Sequence, residues 1–121
     1  WMERNVFGSP LIPCCTDPVT GYFRDGFCRT ISQDNGTHTV CAVVTQNFLD
    51  YSFSRGNDLM TAVPQWQFPG LKPGDKWCLC ISRWLEAEKV GKAPNIILEA
   101  THEKTLQYTS LALLQSYAVS L

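Results

Sequence analysis

The stretch that most constrains the fold is residues 68–84, FPGLKPGDKWCLCISRW. The two Pro-Gly pairs in its first half favour tight turns, because proline presets φ and glycine adopts positive φ without steric cost. The apolar residues that follow predict a mostly buried strand. Side chains alternate along a strand, so Cys78 and Cys80 are expected on one face and Trp77 on the other. We interpret the stretch as a turn-strand-helix spine whose thiols fill core space.

Over the whole chain, turn formers and apolar spacing predict three strands and four helices. Residues 5–27 are rich in Pro and Gly and predict a structured, loop-rich N-terminal quarter. Such a quarter does not fit a regular doubly wound sheet, so the predicted class is α+β, with a small sheet flanked by helices. The strands are expected near residues 38–44, 76–81 and 95–100, and the helices near 45–55, 82–91, 101–107 and 110–118.

Local signals mark several of these boundaries. Thr45 is expected to cap the first helix, with Gly56 just past its end, and Thr101 is expected to cap a later helical turn. Asp34-Asn35-Gly36 predicts a turn before the first strand. Residues 57–73 form a long connection, and loops of that length in compact domains tend to be functional.

Length and charge narrow the class of protein. A chain of 121 residues predicts one domain over residues 1–121, with residues 1–4 as a frayed, trimmed or tagged terminus. The net charge is −1 with scattered basic residues, so no nucleic-acid partner is expected. Apolar runs are too short for a bilayer span, so no membrane partner is expected. With no visible targeting segment, a cytoplasmic location is predicted.

The six cysteines give an ambiguous signal. An even number is typical of disulfide-linked secreted proteins, but two pairs are poorly placed for bridging within themselves. Cys14 and Cys15 are adjacent, and Cys78 and Cys80 share the predicted strand. We therefore expect the thiols to be mostly reduced.

Several motifs extend over nearly the whole chain. Besides residues 68–80 they are PC at 13–14, DPVTGYFRDG at 17–26, HTVCA at 38–42, GNDL at 56–59, RW at 83–84 and LEATHE at 98–103. Together they resemble the domain of unknown function 2237 family. The resemblance implies a soluble single-domain protein of bacteria and some eukaryotes, and it assigns no activity or ligand. Members often carry a second cysteine where this chain has Phe27, so a mechanism that uses adjacent cysteines there does not carry over.

A metal site is one candidate chemistry. Zinc binds four nitrogen or sulfur ligands in a tetrahedron, which this chain has in excess. No Cys-x-x-Cys pair is present, however, and buried cysteine is an ordinary core residue. No metal is expected on this balance, and zinc remains an alternative cofactor. Its ligands would come from Cys14, Cys28, His38, Cys41, Cys78 and Cys80.

Thiol chemistry is a second candidate. Cys14 or Cys28 would act as nucleophile or redox group, with His38 or His102 as base. Arg24 and Arg29 lie on either side of Cys28 in the sequence, and a nearby cation lowers a thiol pKa. The alternative is an ion pair between Arg24 and Asp25 that anchors the loop.

A polar pocket is the third candidate, because polar loop residues between apolar anchors often line ligand sites. The alternative is that Asp and Asn satisfy loop backbone donors, and that His102 caps a helix or faces solvent. Trp66 is the tryptophan most available for ligand contact. The predicted ligand-binding residues are Asp17, Asn57, Asp58, Trp66 and Glu99, and the candidate catalytic residues are Arg24, Asp25, Cys28, His38 and His102.

These alternatives leave three classes of function open. The leading prediction is a domain whose polar, loop-built pocket binds or transforms a small molecule. A zinc-type metal-thiolate protein is the second, and a non-enzymatic structural or protein-interaction module is the third.

Overall fold

A computed structural model of the chain describes residues 3–15, 20, 25–30, 37–66 and 68–119. Its centre is a three-stranded antiparallel sheet in the order β2-β1-β3. The central strand β1 pairs along most of its length with β2, with an irregularity near its start, and only briefly with β3. The strands are β1 His38–Val43, β2 Lys76–Cys80 and β3 Asn95–Ile96.

Helices pack around this sheet, which confirms the predicted α+β class. The α-helices are α1 Gln46–Ser54, α2 Ile81–Glu88 and α3 Leu111–Gln115. Short 3₁₀ turns occupy Pro64–Trp66, Leu98–Ala100 and Glu103–Gln107. Within the described part of the chain, no helix is long and apolar enough to cross a membrane.

The predicted boundary of α1 is confirmed at both ends. The Phe48 N–H donates to the Thr45 hydroxyl at 3.1 Å, which satisfies one of the backbone donors left unpaired at the helix start. Gly56, just past the end, has φ +84°, a conformation that favours glycine. The Asp34-Asn35-Gly36 turn lies outside the described residues.

The third strand and Thr101 depart from prediction. The strand contains two residues, not six, because the chain turns into a 3₁₀ helix at Leu98. The Thr101 side chain is not a helix cap: its hydroxyl accepts from the Cys41 N–H at 3.1 Å and donates to the Ile97 carbonyl at 2.9 Å. A buried hydroxyl here satisfies two backbone groups that water cannot reach. His102 takes the capping position instead.

Most of the apolar core lies between the sheet and the helices. Trp84 is fully buried, as its position on the predicted helix face requires. Its indole N–H donates to the Pro94 carbonyl at 3.0 Å, and its ring meets Tyr117 edge-on at a centroid distance of 5.0 Å. A second, smaller cluster contains four cysteines with Ile97 and Ala100.

The N-terminal loops are joined to this core by backbone hydrogen bonds. The Val6 N–H donates to the Thr101 carbonyl at 3.0 Å, and the Cys14 N–H donates to the Gly26 carbonyl at 2.6 Å. On the outer strand β2, the Cys78 N–H donates to the buried Thr20 hydroxyl at 2.6 Å. This contact satisfies a donor that an edge strand would otherwise leave open.

Candidate functional site

Strand β2 separates two candidate sites. Side chains alternate along a strand, so consecutive residues point to opposite faces of the sheet. Trp77 packs in the large apolar core and lines a surface cleft, whereas Cys78 packs in the cysteine-containing core. The predicted separation of Trp77 from the thiol face is confirmed.

The first site, here called the aromatic cleft, has a volume of about 150 Å³. Residues of the long connection after α1 form most of its wall. Three of the five predicted ligand-binding residues meet here. The lining residues are Asn57, Asp58, Leu59, Val63, Trp66, Phe68 and Trp77.

The backbone of Asn57 is fixed by α1. Its carbonyl accepts from the Ser52 hydroxyl at 2.7 Å, and its N–H donates to the Ser52 carbonyl at 2.9 Å. No described residue forms a hydrogen bond with the Asn57 carboxamide. The Asn57 backbone is therefore fixed, and its side-chain carboxamide offers a hydrogen-bond donor and an acceptor to the cleft.

Asp58 holds its own loop in shape. Its Oδ1 accepts from the Met60 N–H at 2.9 Å and from the Thr61 N–H at 3.1 Å. A hydrogen bond from the Thr61 side chain, followed by the backbone N–H groups, lowers the pKa of Asp58 below its ordinary value. The carboxylate is exposed and therefore ionised at neutral pH.

Aromatic rings form the apolar part of the cleft. Phe68 and Trp77 are buried and meet at a centroid distance of 5.0 Å with their planes tilted by 60°. Trp66 is 65 % exposed, which is high for so large an apolar ring. The loop is closed by the Val63 N–H, which donates to the Phe68 carbonyl at 2.8 Å.

The second site, here called the sulfur cluster, contains Cys14, Cys28, Cys41 and Cys78. Cys41 and Cys78 are directly opposite each other in the β1–β2 ladder and therefore share a face. Each forms a disulfide with an N-terminal cysteine, Cys41 with Cys14 and Cys78 with Cys28. The sulfur atoms of Cys14, Cys28 and Cys78 lie within 4.8 Å of one another, and all four residues are at most 5 % exposed.

These disulfides correct the expectation that the thiols are mostly reduced. The neighbouring pairs Cys14–Cys15 and Cys78–Cys80 do not bridge within themselves, as the sequence indicates. In the fold, one member of each pair meets a distant cysteine, with Cα separations of 5.6 and 5.2 Å, which suit disulfides. Cys28 therefore has no free thiol in this structure to act as a nucleophile.

The other predicted sulfur and imidazole groups lie outside the sulfur cluster. Cys15 and Cys80 belong to neither disulfide. The Cys80 Sγ is hydrogen-bonded to the Ser82 hydroxyl at 3.0 Å. His38 is opposite Cys80 in the ladder, beside the irregularity at the start of β1.

His102 ties the N-terminal segment to the sheet. The Lys104 N–H donates to its Nδ1 at 3.0 Å, so the proton of the neutral ring sits on Nε2, which donates to the Glu3 carboxylate. The residue is buried and caps the 3₁₀ turn that follows it. This agrees with the capping alternative for His102 and occupies both ring nitrogens.

Of the remaining predicted residues, Asp25 and Glu99 are described and do not line the cleft. Asp25 pairs with Arg29, Oδ2 to Nε 2.8 Å. Glu99 lies in the 3₁₀ turn after β3, and its backbone carbonyl accepts from the Asn5 side chain at 3.1 Å. Asp17 and Arg24 lie outside the described residues.

Sequence reasoning missed the apolar half of the cleft. The sequence places Phe68 and Trp77 in the structural spine and the core, and in the structure they also line the cleft. The available signal was the distribution of aromatic residues on both sides of the Pro-Gly turns, next to the long connection.

The fold and these two sites define a small disulfide-linked α+β domain with an aromatic surface cleft. The chain belongs to the family described as "Uncharacterized protein conserved in bacteria (DUF2237)", whose model matches residues 4–118. This match confirms the resemblance carried by the sequence motifs. A search of curated proteins found no match.

Proposed function

We propose that this domain binds a small organic cation in the aromatic cleft. The observation that carries the proposal is the meeting of one carboxylate, one uncommitted carboxamide and an exposed indole around a single depression. Polar groups that converge on an apolar pocket are the usual form of a small-molecule site.

Charge favours a cation over an anion. Asp58 is ionised, and none of the described residues that line the cleft is basic. Trp66 adds a ring face that attracts cations, and tryptophan does so best among the aromatic residues. Each of these two contributions is about 0.5–1 kcal/mol at an exposed site. Together they select for positive charge without giving high affinity.

Size and hydrogen bonding limit the body of the ligand. A cavity of about 150 Å³ accommodates a ring the size of benzene. The buried rings of Phe68 and Trp77 offer it an apolar floor, and the Asn57 carboxamide supplies a donor and an acceptor for orientation. An arylalkyl amine with one short polar arm matches this arrangement.

Binding without chemical transformation is the simplest activity of the cleft. Its described lining contains no histidine, cysteine, serine or lysine, and its one carboxylate, Asp58, accepts from two backbone N–H groups of its own loop. The predicted cytoplasmic location remains part of the proposal. In a reducing cytoplasm the sulfur cluster would be present as thiols, since disulfides persist mainly in oxidising compartments.

A charge series of probes tests the proposal. Phenethylammonium, phenethyl alcohol and phenylpropionate share a phenyl body and differ in charge. Titrating each into ¹⁵N-labelled protein, we expect the cation to shift the Trp66 indole and Asn57 side-chain resonances. The cation should bind about fivefold more tightly than the alcohol, and the anion more weakly than both.

Variants separate the cleft from the rest of the surface. Trp66→Ala should weaken phenethylammonium binding severalfold, while Glu103→Gln removes an exposed carboxylate that does not line the cleft and should leave the affinity unchanged. The proposal is wrong if the three probes bind equally, or if both variants lower the affinity to the same extent.

A further inference from the structure

We propose that the reduced protein binds one Zn²⁺ through the four cysteines of the sulfur cluster. The structure shows these cysteines as two disulfides. The inference concerns the state in which both are reduced, and it is independent of ligand binding at the aromatic cleft.

The positions of the sulfur atoms support a tetrahedral site. A zinc ion with Zn–S bonds near 2.3 Å holds its ligands about 3.8 Å apart. Cys14 Sγ already lies within 4.8 Å of both Cys28 Sγ and Cys78 Sγ, although it belongs to the other disulfide. Cys41, bonded to Cys14, supplies the fourth sulfur. The Cys41 sulfur lies outside the group of three, so binding one ion requires its side chain to rotate toward them after the bond to Cys14 is reduced.

The backbone holds these ligands from different directions. Cys41 and Cys78 project from one face of two paired strands, and the N-terminal loops bring Cys14 and Cys28 over that face. Rigid strands are better supports for a metal site than isolated loops. The backbone positions of two of the four ligands, Cys41 and Cys78, are therefore fixed before the metal binds.

Reduction converts the two disulfides into the four thiols that the metal would bind. A dithiol reductant donates two electrons and two protons to each disulfide and becomes a disulfide itself, so two equivalents give four protein thiols. Zn²⁺ then binds the four thiolates, and the four thiol protons pass to solvent. The product carries a local charge of −2, and its zinc–thiolate coordination bonds again link the N-terminal loops to the sheet.

Burial favours a structural metal over thiol-disulfide exchange with a partner protein. The four cysteines are at most 5 % exposed, so a partner protein, which is much bulkier than a small reductant, cannot bring its own disulfide against their sulfur atoms in the folded state. Closed, buried Cys₄ sites are typical of structural zinc. Zinc would take over the stabilising role of the two disulfides in a reducing compartment.

The test uses the full chain, reduced under anaerobic conditions with a phosphine and titrated with Co²⁺ as a spectroscopic substitute for Zn²⁺. We expect one equivalent of Co²⁺ to give tetrathiolate absorption bands that Zn²⁺ then bleaches. The oxidised protein should show neither change. If the reduced chain unfolds without metal, Zn²⁺ should restore its dispersed NMR spectrum, because metal binding is then coupled to folding.

Cysteine variants locate the site. Cys41→Ser should lower the Zn²⁺ affinity at least about tenfold, because a thiolate ligand is lost. Cys80→Ser is the matched control, because Cys80 lies on the same strand as Cys78 and outside the cluster. The proposal is overturned if the reduced chain, folded or not, neither binds a stoichiometric metal ion nor refolds with Zn²⁺. It is equally overturned if Cys80→Ser lowers the affinity as much as Cys41→Ser.

Discussion

Trp77 and Cys78 are consecutive residues of β2 that serve different sites. Trp77 lines the aromatic cleft, and Cys78 forms a disulfide with Cys28 on the opposite face. The backbone between them is held by the β1 ladder on one side and by the Thr20 hydroxyl on the other. One short strand therefore fixes both the cleft floor and the attachment of the N-terminal loops.

Gly70, two residues after the cleft-lining Phe68, should not tolerate substitution. It has φ +84°, and a Cβ there would overlap the Met60 carbonyl oxygen. Gly70→Ala should cost about 3 kcal/mol or more of unfolding free energy, since left-handed strain of about 1–2 kcal/mol adds to a backbone collision. Gly74 is a matched control with φ +94° and open space around its Cβ position.

Chemical denaturation of both variants measures this difference. Gly74→Ala should lose only the left-handed strain, about 1 kcal/mol. Equal destabilisation of the two proteins would mean that the close approach of Gly70 to Met60 does not exist in solution.

The Thr101 hydroxyl should contribute more to the free energy of unfolding than the Thr101 methyl group does. Thr101→Val keeps the shape of the side chain but leaves the Cys41 N–H without a partner and the Ile97 carbonyl with only the Ala100 N–H. We expect a loss of about 2 kcal/mol, the typical cost of one unsatisfied buried donor. Thr101→Ser keeps the hydroxyl and should lose only about 1 kcal/mol, the contribution of one buried methyl group. A Ser variant less stable than the Val variant would contradict this role.

Removing the Cys28–Cys78 disulfide should destabilise the oxidised protein strongly. The bridge closes a sequence separation of 50 residues, for which loop-closure entropy predicts about 4 kcal/mol. Thermal unfolding of the Cys28→Ala/Cys78→Ala protein under non-reducing conditions measures the loss. The Cys80→Ser control should stay within about 0.5 kcal/mol of the wild type. A double variant as stable as the control would show that this bridge does not form.

Stability should fall above pH 10 through Tyr117. Burial, and then the negative charge of Glu88 and the hydrogen bond to it, raise the pKa of Tyr117 above 10.0. The phenol donates to Glu88 Oε2 at 3.2 Å. Its stabilising contribution is fully present below the unfolded-state pKa and is lost as pH rises through the higher folded-state value.

Denaturant unfolding from pH 8 to 11 measures this loss. Tyr117→Phe keeps the ring against Trp84 and should flatten the decline above pH 10. Tyr108→Phe, made at an exposed ring, controls for the removal of a phenol. A Tyr117→Phe protein with the wild-type decline would assign the pH dependence to other groups.

The local elements could be predicted because their causes are local. The Thr45 cap, the Gly56 stop and the Pro-Gly turns depend on residues a few positions apart, and the structure confirms them. The strand at residues 76–80 was visible from its apolar run. The third strand was overestimated, because nothing nearby in the sequence signals that Leu98–Ala100 turns into a 3₁₀ helix.

Contacts between distant segments could not be predicted in the same way. The cysteine pairing depends on how the N-terminal loops cross the sheet, and the spacing of the cysteines contains no such information. The contact between Glu3 and His102 joins opposite ends of the chain for a similar reason. Asn57, Asp58 and Trp66 could be selected because they lie in one long connection, whereas Trp77, part of the floor under them, comes from strand β2.

The most direct test of the proposed function is the effect of one charge on ligand selectivity. Asp58→Asn keeps an oxygen that can accept from the Met60 and Thr61 N–H groups, so the loop should keep its shape. The dissociation constants of phenethylammonium and phenethyl alcohol are measured for both proteins. We predict that the roughly fivefold preference for the cation falls to about twofold or less in the variant, with the alcohol affinity unchanged. A preference that survives in Asp58→Asn, or that is absent from the wild type, would contradict cation binding in the aromatic cleft.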